Sequence, residues 1–161
     1  MKGSMHNRGV NKTTGVFNFG VVSFTVLALM LGCIEGGTGG FYNVDGEVMG
    51  ESFQMYGGVA EATGSGYWIT ITDSSSYDCV STPSSNYLQV TWETAGVGST
   101  AAAGNVTFSR VEGNISPSDP AVSGEVVIDS VDVANGFIAG SITAQGSSSD
   151  VSGSFEIEIC P

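Results

Sequence analysis

The chain has 161 residues, enough for one domain of ordinary size, and carries 16 acidic residues against four basic ones and one histidine, for a formal net charge of −12. Lys2, His6, Arg8 and Lys12 all precede the first acidic residue, Glu35, so Arg110 is the only basic side chain in the rest of the molecule. One cation cannot make the clustered basic surface that nucleic acid requires. Without histidine or lysine beyond position 12, a Ser-His-Asp triad, a Cys-His pair, a lysine Schiff base and a histidine-ligated zinc site are excluded there as well.

Along the chain, the basic start leads into an apolar run from Val16 to Leu31, interrupted only by Asn18, Ser23 and Thr25. As a helix this run would reach about 24 Å at ~1.5 Å per residue, short of a hydrocarbon core of ~30 Å. Positive flank, length and the small Gly32 at its end predict an export signal rather than a permanent membrane-spanning helix.

The residues that close the run, Met30-Leu31-Gly32-Cys33, resemble the lipobox of bacterial lipoproteins. Met30 stands where leucine is usual in that family, and Leu31 where a small residue is usual. The resemblance implies that the Cys33 sulfur receives diacylglycerol and that a signal peptidase cuts just before it. Residues 1–32 are then the signal peptide, and residues 33–40 the lipidated cysteine with a glycine-rich tether. Ile34, in the place where aspartate retains many such proteins at the inner membrane, implies the outer membrane, on its periplasmic or surface face. The membrane, reached through the lipid on Cys33, is the one partner the resemblance supplies.

Three cysteines are an odd number for an exported protein. With Cys33 lipidated, Cys79 and Cys160 form an even pair in an oxidising compartment, where a disulfide is expected. Their distance in sequence, and the absence of a CxxC, predict a structural bridge rather than a redox centre.

From residue 41 to 161 the pattern predicts a single all-β domain. Phe155, Ile157 and Ile159 alternate with Ser154, Glu156 and Glu158; Leu88, Val90 and Trp92 alternate with Gln89, Thr91 and Glu93; Tyr67, Ile69 and Ile71 alternate with Trp68, Thr70 and Thr72. One-face burial of this kind belongs to antiparallel sheets. About eight strands are expected, near 41–48, 52–60, 66–72, 87–93, 104–111, 123–133, 137–144 and 150–159, as an antiparallel β-sandwich or small β-barrel. Residues 73–85 and 116–120 read as loops, and Asn135-Gly136 as a hairpin turn with positive φ at both positions. A weak repeat runs through the strands: VDGEVMG (44–50), VSGEVVI (122–128), IAGSITA (138–144) and VSGSFEI (151–157) each place glycine after an apolar-x pair.

Candidate chemistry is sparse. Glu156 and Glu158 share a strand face with Cβ atoms about 7 Å apart, a spacing open to carboxylate-pair catalysis but expected on the solvent side of a last strand. Asn43-Val44-Asp45-Gly46-Glu47 is similar to a fragment of a calcium loop, and Asp73 and Asp78 offer further oxygens. The remaining ligands and the distal glutamate of a calcium loop are missing, so no metal and no cofactor is assigned. Trp68, on the face opposite Ile69 and Ile71, is the candidate for stacking on a glycan, whereas Trp92 belongs with the core. The expected function is that of a lipid-anchored bacterial envelope protein with a structural or binding role and no enzymatic activity. The alternative is a ligand- or carbohydrate-binding lipoprotein that uses an aromatic face or a barrel cavity, with an envelope protein or a glycan as its partner.

Overall fold

The computed structural model describes residues 43–161; the signal expected over residues 1–32, the lipidation expected at Cys33, the tether expected through residue 40 and residues 41–42 lie outside the described residues. The described chain is all β, in eleven strands: β1 (Asp45–Val48), β2 (Glu51–Gln54), β3 (Gly57–Ala62), β4 (Tyr67–Thr72), β5 (Tyr87–Trp92), β6 (Gly98–Ala101), β7 (Val106–Ser109), β8 (Ser118–Pro120), β9 (Ser123–Asp132), β10 (Phe137–Gln145) and β11 (Asp150–Cys160). They form one sheet in the order β6-β9-β10-β11-β3-β4-β5-β7-β8, with β1 paired to β11 and β2 paired to β1.

This sheet curls into a half-barrel. Ala121, just past β8 at one end of the strand order, donates its N–H to Val106 of β7 (2.9 Å), and the next residue, Val122, donates to Gln145 at the end of β10 (2.7 Å). The inner face is the one the alternation marked. Ile69, Ile71, Leu88, Val90, Trp92, Phe155 and Ile157 are all 4 % exposed or less, and Phe53, Met55, Phe108, Ile138 and Ile142 fill the space between them. Each such side chain contributes about 1.5–3 kcal/mol by leaving water, which is the main force holding the curl.

Four expectations are corrected. The stretch expected as one strand at 52–60 is two. Met55 still donates to Val44 beside β1 (2.8 Å), but Tyr56 donates to Thr72 of β4 (3.0 Å), so the chain changes neighbours across one peptide. The glycines that follow allow it, because a Cβ at Gly57 would stand 2.5 Å from the Ser74 carbonyl oxygen and one at Gly58 2.7 Å from that of Thr70. Second, the sheet is mixed, since β11 runs parallel to β3 with Glu158 opposite Val59. Third, β6 and β8 bring the strands to eleven; Gly-Ser-Thr-Ala and Ser-Asp-Pro carry no apolar alternation, and they pair at the sheet's ends through backbone groups alone. Fourth, the two-residue turn with positive φ at both positions is Met49-Gly50 (φ +52° and +80°), between Val48 and its partner Glu51. Asn135 keeps an ordinary φ and donates its side-chain amide to Asp132 (2.6 Å); only Gly136 is left-handed there.

The glycine repeat has one structural meaning. At Gly124 a Cβ would lie 2.0 Å from the Thr143 carbonyl oxygen, and at Gly153 2.1 Å from that of Asn43, both at positive φ (+113° and +148°). Gly46 and Gly140 press as closely on neighbouring backbone, so each copy of the repeat marks a place where another backbone segment approaches a strand too tightly for a side chain, as a steeply curled sheet demands.

Candidate functional site

β11 runs between two closures. At its C-terminal end Cys160 forms a disulfide with Cys79 (Cα–Cα 5.5 Å), pinning the segment that connects β4 to β5 against the outer face of the sheet. That segment starts from Thr72, fully buried although it points outward, whose hydroxyl donates to the Asn86 carbonyl (3.1 Å) and accepts from the Ser74 N–H (3.2 Å). Next to the bridge, the Asp78 carboxylate accepts the Val80 N–H (3.1 Å) while the Asp78 N–H donates to the Ser81 hydroxyl (2.9 Å). The Ser81 hydroxyl and the Val80 N–H together hold the Asp78 carboxyl below the usual carboxylate range. Tyr77 lies across the outer face beside Thr70. Burial raises its phenol above the ordinary tyrosine value; the Thr70 hydroxyl pulls the other way, and Glu61, Tyr87 and Asp78 reinforce the rise.

Between this segment and the sheet runs a groove of about 100 Å³, walled by Tyr56, Tyr77, Asp78, Phe137, Glu156 and Glu158, with Gly57, Gly58 and Val59 among its lining. Strand register assembles it: Glu158 stands opposite Phe137 of β10 on one side and Val59 of β3 on the other, and Glu156, two residues earlier on the same face, stands opposite Ala139. Tyr56 is 53 % exposed and donates its hydroxyl to Gln54 (2.9 Å). No counter-charge sits here, because Arg110, the only basic side chain among the described residues, is bonded to Glu51, Glu112 and the Met49 carbonyl.

The other sequence candidates fall elsewhere. Trp68 is 51 % exposed on the outer face of β4, with Glu61 and Thr91 as its cross-strand neighbours, and does not line the groove. Trp92 is core, its indole N–H donating to the Gly96 carbonyl (3.0 Å), and a second cavity of about 280 Å³ opens between it and β6. Asp45 and Glu47 are exposed on β1, Asp73 begins the pinned segment with one buried carboxylate oxygen lacking a partner, and no three metal-ligating side chains converge among the described residues. The sequence offered Glu156 and Glu158 as a bare pair; the structure sets them among three rings. Tyr77 and Tyr56 were visible in the sequence only as aromatics available to a stacking face, with nothing to join them to the glutamates; Phe137 carried no signal, because at a strand's first residue alternation says nothing.

At the opposite end of β11 the closure is polar. Asp119 of β8, 5 % exposed, accepts five hydrogen bonds from the serine loop before β11: from Ser147 N–H (3.0 Å) and hydroxyl (2.7 Å), Ser148 N–H (2.9 Å) and hydroxyl (3.3 Å), and Ser149 hydroxyl (2.8 Å). Burial under this loop opposes ionisation, but the donors outweigh it and hold the carboxyl far below its ordinary value. Gly146 is needed beside it, since a Cβ there would stand 2.4 Å from the carboxylate. Ser149 also accepts the Met49 N–H (3.0 Å), so the β1–β2 turn joins the same network.

Comparison with known protein families, curated proteins and solved structures finds no match to this chain.

Proposed function

We propose that this chain is a lipid-anchored bacterial envelope protein, held by Cys33 at the outer membrane, whose β domain has a binding or structural role and no catalytic one. The observation that carries the reading is the cysteine pairing. The Cys79–Cys160 bridge uses two of the three cysteines and leaves Cys33 as the odd one, at the end of the apolar run and within Met30-Leu31-Gly32-Cys33. A disulfide that pins a connecting segment to a sheet supports an oxidising compartment. Metabolic labelling with a palmitate analogue tests the anchor: label and membrane association are both expected to be lost in Cys33→Ser. Membrane association that persists in that variant would mean an uncleaved spanning segment instead.

Within this reading, binding is favoured over a purely structural role by the outer face. The interior is filled with apolar side chains, while Trp68 and Tyr56 are 51 % and 53 % exposed on the outside. A flat indole on a sheet surface suits stacking against a sugar ring. Glycan-array binding abolished by Trp68→Ala would support that form of the role, and binding that survives the change would count against it.

A further inference from the structure

We infer that the groove between β11, β3 and the disulfide-pinned segment is a binding site for an alkylammonium group, either a small quaternary amine or the end of a lysine side chain. The inference rests on the binding role proposed above and gives it a ligand class. It is independent of the lipid anchor and uses a different surface from Trp68.

Three features of the groove select this chemistry together. Its wall combines the rings of Tyr56, Tyr77 and Phe137 with the carboxylates of Glu156, Glu158 and Asp78. Ring faces attract a cation through their quadrupole, and carboxylates through their charge, so a ligand both positive and greasy satisfies both at once. Second, among the described residues the groove has no cation of its own, Arg110 being engaged by Glu51 and Glu112, so the carboxylates there have no partner in the domain and suit a positive ligand. Third, the size is decisive. At about 100 Å³ the groove is well below the ~300–1,000 Å³ of pockets that enclose a whole small molecule, so it accepts a headgroup rather than a stacked sugar chain. A small metal ion fits less well, because Glu156 and Glu158 leave the strand about 7 Å apart at Cβ and Asp78, the third carboxylate of the wall, does not gather with them into a metal-holding cluster among the described residues.

The register explains why such a site arises here. β11 is paired with β1 through Ser152 and with β3 only from Glu158, so the sheet forks between these pairings. Phe155 and Ile157 fill the fork from the inside, leaving Glu156 and Glu158 to face outward beneath Tyr77.

The test is an NMR titration of the full chain in a maltoside detergent at constant ionic strength, with tetramethylammonium chloride and lysine amide as probes, and tert-butanol and sodium chloride as neutral and simple-salt controls. Saturable shifts of the Tyr77, Phe137, Glu156 and Glu158 amides are expected with the two amines and not with the controls. The double variant Glu156→Gln/Glu158→Gln is expected to weaken binding about tenfold or more, with Phe137→Ala weakening it in the same direction and Glu125→Gln, on the exposed part of β9, leaving it unchanged. Tighter binding of tetramethylammonium assigns the site to a quaternary headgroup, and tighter binding of lysine amide to a peptide. Equal shifts with tert-butanol or sodium chloride, or unchanged affinity in a double variant that keeps native amide dispersion, overturns the inference. Failure here together with glycan binding through Trp68 removes only the ammonium site, whereas failure of both removes the binding role.

Discussion

At one end of β11 the sheet is closed by a carboxylate under three serines, and at the other by a covalent bond between sulfurs. The first closure gathers β8, the β10–β11 loop and the β1–β2 turn through five hydrogen bonds to Asp119 and one to Ser149. The second holds a single connecting segment to the last residue of β11. The polar closure therefore answers to pH and to the placement of each donor, while the covalent one answers only to redox conditions. The candidate groove lies on the covalent side, walled by the segment that the bridge restrains. Disturbing the bridge should change both stability and the groove; disturbing Asp119 should change stability and leave the groove in place.

The largest effect is expected from removing the bridge. Its cysteines are 81 residues apart, and cross-linking a loop of this length stabilises by about 4.5 kcal/mol in the chain-entropy account. Cys79→Ala/Cys160→Ala should lower the urea midpoint accordingly and alter the Tyr77 environment in near-ultraviolet circular dichroism. A loss below about 1 kcal/mol would mean that the bridge adds little to what Thr72 already holds.

Asp119→Ala comes next, at about 3 kcal/mol, because it strands several buried donors at once. The carboxyl is depressed in the folded state, so its contribution is complete above the unfolded value near 4 and is lost as pH falls from there through the folded value. Thermal unfolding followed from pH 6 downward should show the wild type losing stability in that acid range. Asp119→Asn should be less stable at neutral pH and should show a flatter acid limb; two parallel curves would remove Asp119 as the cause.

A smaller effect, about 2 kcal/mol, is expected for Gly124→Ala, which forces a Cβ against a neighbouring strand at positive φ. Gly104→Ala has similar backbone strain (φ +83°) but open space around it, and should cost about 1 kcal/mol. Equal unfolding midpoints for the two variants would mean that strand crowding is not what keeps the repeat. Trp68→Ala should change stability least, by about 0.5 kcal/mol, since half the side chain is already in water.

Much of the fold was legible in the sequence because alternation is a local record of which side faces the core. Tyr67-Ile69-Ile71, Leu88-Val90-Trp92 and Phe155-Ile157 all face inward, and Trp68 faces out, as their spacing indicates. The glycine repeat was visible too, although its meaning as a set of close backbone approaches needed the neighbouring segments. The strands at Gly98–Ala101 and Ser118–Pro120 were not legible, because backbone hydrogen bonds form edge strands whatever the side chains. Nor was the division at Met55-Tyr56, where the pattern Phe53-x-Met55 continues as if one strand ran through.

The sequence by itself determined that the domain is all β, which face of the strands at Tyr67–Ile71, Leu88–Trp92 and Phe155–Ile157 is core, and that Cys79 and Cys160 were available to each other; each of these rests on residue type and short-range order. Only the tertiary structure decided that β11 pairs with β1 and β3 in turn, that Asp119 reaches the serine loop, and that Tyr77 and Phe137 join Glu156 and Glu158 around one groove. Those meetings depend on which strands become neighbours. Backbone pairing carries almost no side-chain signature, so they appear only once the whole sheet has curled.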